Sequence, residues 1–166
     1  MKPMSDKSMS HILHDSLRVG LLLCAPAAVA WASGLPFIFP SLGPSAFSLV
    51  VESEGHDTAR RVLGGHLLGV VSGLVAYHLI APGLTLTALP ASLSPPLLRL
   101  AASGITSVVL ATAGMMAANA RHAPACATTL IVSLGLMTTP RDALCIMFAV
   151  SLMYGAHRLL DYYTPE

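Results

Sequence analysis

Apolar residues gather into four long runs, 17–33, 61–80, 97–119 and 142–160, each close to the roughly 20 residues that carry a helix across a bilayer. A shorter apolar run lies inside each pair, 37–51 in the first half and 123–137 in the second. The first is interrupted by Pro40, Gly43 and Pro44, and the second opens on Pro124. Proline loses nothing at the first turn of a helix, where its missing N–H would have no partner anyway, so Pro44 and Pro124 are predicted to start helices. The residues before them, 35–43 and 121–123, are predicted to be non-helical. The expected fold is an all-α membrane protein with six membrane-embedded segments in two three-segment repeats, each half holding a Pro-broken short helix.

An offset of 80 residues superimposes the two halves: Gly34, Pro44, Gly55, Thr58 and Arg61 recur as Gly114, Pro124, Gly135, Thr138 and Arg141. Repeat one spans 17–80 and repeat two 97–160 of a single transmembrane domain, 17–160, between an N-terminal tail, 1–16, and a C-terminal tail, 161–166. Interrupted apolar segments at matching positions of two half-repeats point to a transporter site. Lys and Arg collect on the cytoplasmic side. If both short segments cross, the inside holds Lys2, Lys7, Arg18, Arg60, Arg61, Arg121 and Arg158, and the outside Arg99 and Arg141; if both dip and return, the split is five against four. Six crossings are therefore expected, in the cell's inner (plasma) membrane, with both termini cytoplasmic and the uncharged loop 81–96 outside. Three crossings per half turn the second half upside down, an inverted repeat whose axis lies in the membrane plane.

Composition agrees with this picture and narrows the partners. Of 166 residues, 54% are hydrophobic and 10% charged, against about 25% charged in a soluble domain, and mean hydropathy is +0.71. A formal charge of +1 with four Phe, four Tyr and one Trp leaves no basic, aromatic surface for nucleic acid. Cys24, Cys126 and Cys145 stand in apolar stretches without CxxC or Cys/His spacing, so no disulfide framework, metal site or other cofactor is expected. Lys2, Lys7 and Arg18 before a run ending Ala28-Val29-Ala30 imitate a cleaved signal peptide, but removal of 1–30 would delete the repeat partner of 97–110.

Irregular backbone at membrane depth persists only inside protein or beside a wet cavity, which directs attention to 40–45 and 122–125. Helix N-termini carry partial positive charge and free N–H groups, so two of them facing one another would bind a small inorganic anion. The candidate substrate-binding residues are Ser41, Gly43, Ser45, Ala46, His66, Asn119, Arg121, His122, Ala125, Cys126 and Thr128, supported by Ser48 and Thr129. Plain structural roles compete: Ser and Thr as interhelical hydrogen-bonders, Arg121 as the end of a helix at the interface, His66 as a satisfied interhelical partner. Gly65, Gly69 and Gly73 form a small-residue face for close helix packing. His78 and His157 near helix ends are expected at the interface, and the i,i+3 pair His11 and His14 is too common a spacing to argue for a metal.

Pro40-Ser41-Leu42-Gly43-Pro44-Ser45-Ala46, Arg61-Val62-Leu63-Gly64-Gly65-His66 and Arg121-His122-Ala123-Pro124-Ala125-Cys126-Ala127 together resemble the HPP family of small integral membrane proteins, over about 17–160. The name-giving His-Pro-Pro stands here as His122-Ala123-Pro124. Plastid and cyanobacterial members are associated with nitrite transport, so the resemblance implies small-anion transport with nitrite first. The family is often described with four membrane helices, where the charge pattern here predicts six segments. The expected function is a passive or proton-coupled carrier or channel for a monovalent anion, with His66 or His122 as the proton-linked group, a role suited to imidazole. An intramembrane enzyme is the less favoured alternative: there is no HExxH, and Glu52, Glu54, Asp57, Asp142 and Asp161 sit in a loop or flank the last helix, which leaves Ser45 with His122 or His66 as the open pairing. A non-transporting assembly or sensor subunit is the third, and homodimerisation through small-residue faces is allowed by all three.

Overall fold

The computed structural model describes residues 9–52, 58–88 and 90–163. These form six helices with no strand among them: α1 (Met9–Ser33), α2 (Ile38–Val51), α3 (Ala59–Ile80), α4 (Pro95–Ala117), α5 (Ala125–Ser133) and α6 (Pro140–Tyr163). The expectations placed on Lys2, Lys7, Glu54, Gly55 and Asp57 lie outside the described residues. Helices α1, α3, α4 and α6 are each long and apolar enough to cross a bilayer, and only 22% to 39% of their most apolar windows is buried within the molecule. Trp31, Leu79, Leu98, Ile105, Leu144 and Phe148 are all more than half exposed. Such a girdle would be a liability in water and is what a lipid-facing surface requires.

Most helix ends follow from local chemistry. Ser94 caps α4 by accepting from the Leu97 amide, with Pro95 at the first helical position. At α6, Thr139 and Asp142 each accept the other's backbone N–H, at 3.2 and 3.0 Å, a reciprocal cap around Pro140. Helix α1 includes residues from Met9 on, ahead of the expected 17, with exposed His11 and His14 within it. Helix α5 stops at Ser133 instead of running to 137: Gly135 takes φ 83°, and Leu136 N–H bonds back to Ile131 O, the left-handed ending that glycine permits.

Pro44 does not start a helix. Helix α2 begins at Ile38 and passes through Pro44 without a break. The first-turn role belongs to Pro40, the third helical residue, whose amide would be unpartnered in any case; Pro44 removes a single donor, to the Pro40 carbonyl, and turns its ring to the exposed side. Pro124 behaves as expected, standing immediately before α5. The two short helices have 14 and 9 residues, or about 21 and 13 Å at 1.5 Å per residue, less than the roughly 30 Å of a hydrocarbon core.

The packed helix pairs are α1 with α2 and α6, α3 with α4, α5 and α6, α4 with α5, and α2 with α5 and α6. Exchanging α1 with α4, α2 with α5 and α3 with α6 maps this set onto itself. The larger apolar core joins α1, α2, α3 and α6 through Leu22, Ile38, Leu42, Leu49, Val70, Ile146, Val150 and Met153, and reaches α5 at Ile131 and Val132. The loop 81–88 packs back on the bundle: Leu86 N–H bonds to Leu134 O, and Leu84 and Leu86 join Tyr77, Ala81 and Leu100 over the end of α5. His157 is buried within the protein. It is 2% exposed, with Nε2 3.2 Å from Asp161, which pairs with Arg18 and so ties α6 to α1.

The glycine face of α3 fixes where α5 and the turn before it can lie. A Cβ on Gly65 would stand 2.8 Å from His122 Cβ, on Gly69 2.7 Å from Thr129 Oγ1 and 2.9 Å from Ala125 O, and on Gly73 2.9 Å from Thr129 O. These separations are shorter than any real contact allows. Gly69→Ala gains about 1 kcal/mol of helix propensity and loses about 1–3 kcal/mol to overpacking. The expected result is a lower melting temperature for purified protein in detergent, whereas Gly20→Ala, where a new Cβ meets nothing within 4 Å, is neutral or stabilising. Equal melting temperatures for the two variants would contradict the close approach.

Candidate functional site

Four segments place hydroxyl and imidazole groups at one point in the apolar interior. Ser41 and Ser45 are one helical turn apart on the buried face of α2. His66 projects from α3 beside the glycine face, and Thr128 from the first turn of α5. His122 belongs to the turn between α4 and α5, seated where Gly65 has no side chain. Ser41, Ser45, His66 and Thr128 are fully buried and His122 is 4% exposed.

Together they form a continuous hydrogen-bonded chain. His122 Nε2 is 3.1 Å from Ser45 Oγ, Ser45 Oγ is 2.8 Å from His66 Nε2, His66 Nδ1 is 2.8 Å from Thr128 Oγ1, and Thr128 Oγ1 is 2.6 Å from Ser41 Oγ. The imidazole rings are 5.3 Å apart between centroids. A hydroxyl donates one hydrogen bond and accepts others, and a neutral imidazole donates from one nitrogen and accepts at the other. The chain can therefore be drawn with every bond pointing from Ser41 toward His122 or with every bond reversed. Each setting satisfies all five groups without a buried charge, which answers the cost of polar side chains at membrane depth.

The His122 end opens into a cavity of about 260 Å³ lined by Thr112, Met115, Met116, Arg121, His122, Ala123 and Cys126. Arg121 is exposed at its rim, and the Cys126 thiol is part-buried. The adjoining amides of α5 are already used: Ala125, Cys126 and Ala127 N–H bond to the carbonyls of His122, Ala123 and Pro124 at 3.0 Å. Ser45 and Ala46 sit in the middle of α2, where amides close the helical ladder. The backbone groups available to an anion are thus fewer than two facing helix starts would give, and side chains dominate the cavity.

The structure brings Ser41, Ser45, His66, His122 and Thr128 into one chain and groups Arg121, His122 and Cys126 in one cavity. Ala46 and Ala125 are buried in the helices that carry the chain, and Gly43 is half-buried beside Pro44. Asn119 is exposed and ends α4: it takes φ 50°, its N–H bonds to Met116 O, and Ala120 N–H bonds to Met115 O, a left-handed helix stop in which Asn replaces the usual glycine. Thr129 donates to Ala125 O, and Ser48 donates to Glu52. Thr112, Met115 and Met116 were not legible as cavity residues, since only the fold-back of 119–124 over α4 places them there. Ser45, His66 and Thr128 have the connectivity of nucleophile, base and orienting group, but Ser45 is wholly enclosed and its hydroxyl is shared between two imidazoles.

The model of the HPP transmembrane region matches residues 4–160. No curated protein and no solved structure matches the chain. Four apolar helices of membrane-crossing length, with the family match spanning nearly the whole sequence, establish an integral membrane protein that belongs to the HPP transmembrane family.

Proposed function

We propose that this protein transports a small monovalent anion, with nitrite the leading substrate, through the cavity beside Arg121. The observation that carries this reading is a buried chain of hydroxyls and imidazoles in an otherwise apolar bundle, opening at His122 beside an unburied guanidinium. Polar groups at membrane depth mark ion and substrate routes. Arg121 supplies charge-assisted donors to the anion, with His122, Thr112 and the Cys126 thiol as the remaining polar wall. The positive end of α5 adds favourable potential even though its first amides are engaged. The enclosure of Ser45 weighs against the enzyme reading, and the cavity weighs against a purely structural subunit.

We read the two halves as inverted repeats. The symmetric set of packed helix pairs supports a twofold relation between them, and the Lys and Arg distribution supports three crossings per half with both termini cytoplasmic. In that arrangement the short helices and their flanking turns carry the chain across together, as broken segments do in transporters with central sites.

Two measurements test these readings. In proteoliposomes the wild-type protein is expected to take up nitrite above empty vesicles. Arg121→Ala should raise the half-saturating concentration by about tenfold or more, the size of one charge-assisted hydrogen bond at about 1.5–3 kcal/mol. Arg99→Ala, whose Nε instead bonds to Ile80 O, should change it little; no flux of any tested anion, or equal effects of the two substitutions, would remove the proposed site. For topology, Leu93→Cys in a background lacking the native cysteines should react with an impermeant maleimide added outside intact cells. Labelling only after permeabilisation would place residue 93 inside, as two re-entrant short segments do, and would overturn six crossings with cytoplasmic termini.

A further inference from the structure

We propose that the chain His122–Ser45–His66–Thr128–Ser41 is a proton relay that couples movement of the anion in the Arg121 cavity to movement of a proton between the two halves of the molecule. This rests on the anion-transport reading and adds its coupling ion. The geometry supplies what a relay needs: four consecutive links of 2.6–3.1 Å between groups that can each donate and accept. A proton taken from cavity water by His122 leaves its Nε2 for Ser45 Oγ. The Ser45 hydroxyl proton then passes to His66 Nε2, the His66 Nδ1 proton to Thr128 and the Thr128 proton to Ser41, which is fully buried and releases its own to water only when displacement of the halves opens its site. At each link an N–H or O–H bond breaks on the donor and one forms on the acceptor. Once the proton has left, every group is neutral again and each hydrogen bond has reversed direction; rotation of the hydroxyls and exchange of the imidazole tautomers reset the chain.

Two further features tie this route to transport. Ser41 occupies the position equivalent to Arg121 under the 80-residue offset, so the relay runs from the cavity of one half to the matching place in the other. Of its four links, His122–Ser45, His66–Thr128 and Thr128–Ser41 join opposite halves, and only Ser45–His66 lies within one. Displacement of one half against the other therefore cuts the route and leaves the proton on one side, which is the condition for coupling and not a leak.

The surroundings contain few competing titratable groups. Among the described residues, α2 and α5 give His66 hydroxyls, the turn before α5 gives His122 with Arg121 next to it, and α4 gives Met115. The Cys126 thiol lines the cavity with His122. Helix α6 contributes apolar Ile146, Ala149 and Val150 to the adjoining core. The carboxylates of neighbouring helices are engaged elsewhere, Glu52 with Ser48, Asp142 with the Thr139 amide and Asp161 with Arg18.

The test uses the full chain in voltage-clamped proteoliposomes with an inward nitrite gradient, an internal pH dye and separate measurement of nitrite, all corrected for empty vesicles. Wild type is expected to acidify the lumen in proportion to nitrite uptake, and more slowly in D₂O than in H₂O. His66→Gln and Thr128→Val, which keep volume but cannot pass a proton, should lose proton uptake, or lose net uptake while nitrite–nitrite exchange persists; Thr128→Ser should restore coupling. Nitrite uptake by wild type without acidification overturns the relay and leaves the transport reading intact, as does full proton uptake by both variants or loss of exchange together with net uptake in folded variants. Absence of nitrite flux in wild type overturns both. If neither variant folds, the absence of a D₂O effect on wild-type uptake overturns the relay.

Discussion

The rest of the structure depends on the contact between the glycine face of α3 and the backbone of α5. A side chain at Gly65, Gly69 or Gly73 would occupy space already held by His122, by Thr129 and the Ala125 carbonyl, or by Val132 and the Thr129 carbonyl. Within a bilayer no hydrophobic drive separates helix–helix from helix–lipid contact, so association relies on close packing and on hydrogen bonds between helices. Both occur here at one seam. Close approach brings Thr128 within 2.8 Å of His66 and seats His122 over α3, and the hydrogen bonds in turn hold the short helix that glycine packing admits.

The same seam explains why α5 survives at 9 residues. A helix this short is marginal by itself, and the nonhelical turns on either side would be costly if they faced lipid. They are instead closed on the protein: Ala120 and Asn119 amides return to α4, Ala125 to Ala127 amides bond into the turn before them, and Leu136 N–H bonds back to Ile131 O. Arg60 adds a donor to the Ala118 carbonyl. Much of the irregular backbone is thereby satisfied within the protein, and the cavity beside it is walled by the side chains of Arg121, His122 and Thr112.

Much of this was legible in the sequence, and the exceptions share a cause. Long apolar runs, Pro124 and the glycine face could be read because each expresses a local rule: length against bilayer thickness, a proline at a helix start, four-residue spacing of small residues. Pro44 was misleading because two prolines lie four residues apart and either could have held the first-turn position; only packing of Ile38 and Leu42 into the core, both fully buried, decides for the earlier start. The helix-stop role of Asn119 was not legible: its short polar side chain tolerates the left-handed backbone. The burial of His157 was not legible because it accompanies the pairing of its neighbour Asp161 with Arg18, 143 residues away in sequence, and no periodicity reveals such a pairing. Thr112 joined the cavity only through tertiary folding.

The two halves share a scaffold and differ in chemistry. Where the second half has Arg121, the first has Ser41; where the first has His66, the second has Ile146; Ser45 answers to Ala125 and Thr128 to Ser48. The set of packed helix pairs is symmetric all the same. Polar function is not indifferent to these exchanges. A duplicated Arg at position 41 would bury a charge that, among the described residues, the core around α2 has no acidic partner to balance, at a cost of several kcal/mol. A second His at 146 would enter a site walled by Ala149, Val150 and Met153, all fully buried. One-sided chemistry is therefore the arrangement that bilayer energetics favours: a single exposed charge at Arg121 beside the cavity, and from His122 inward a neutral chain of hydroxyls and imidazoles whose links mostly bridge the halves.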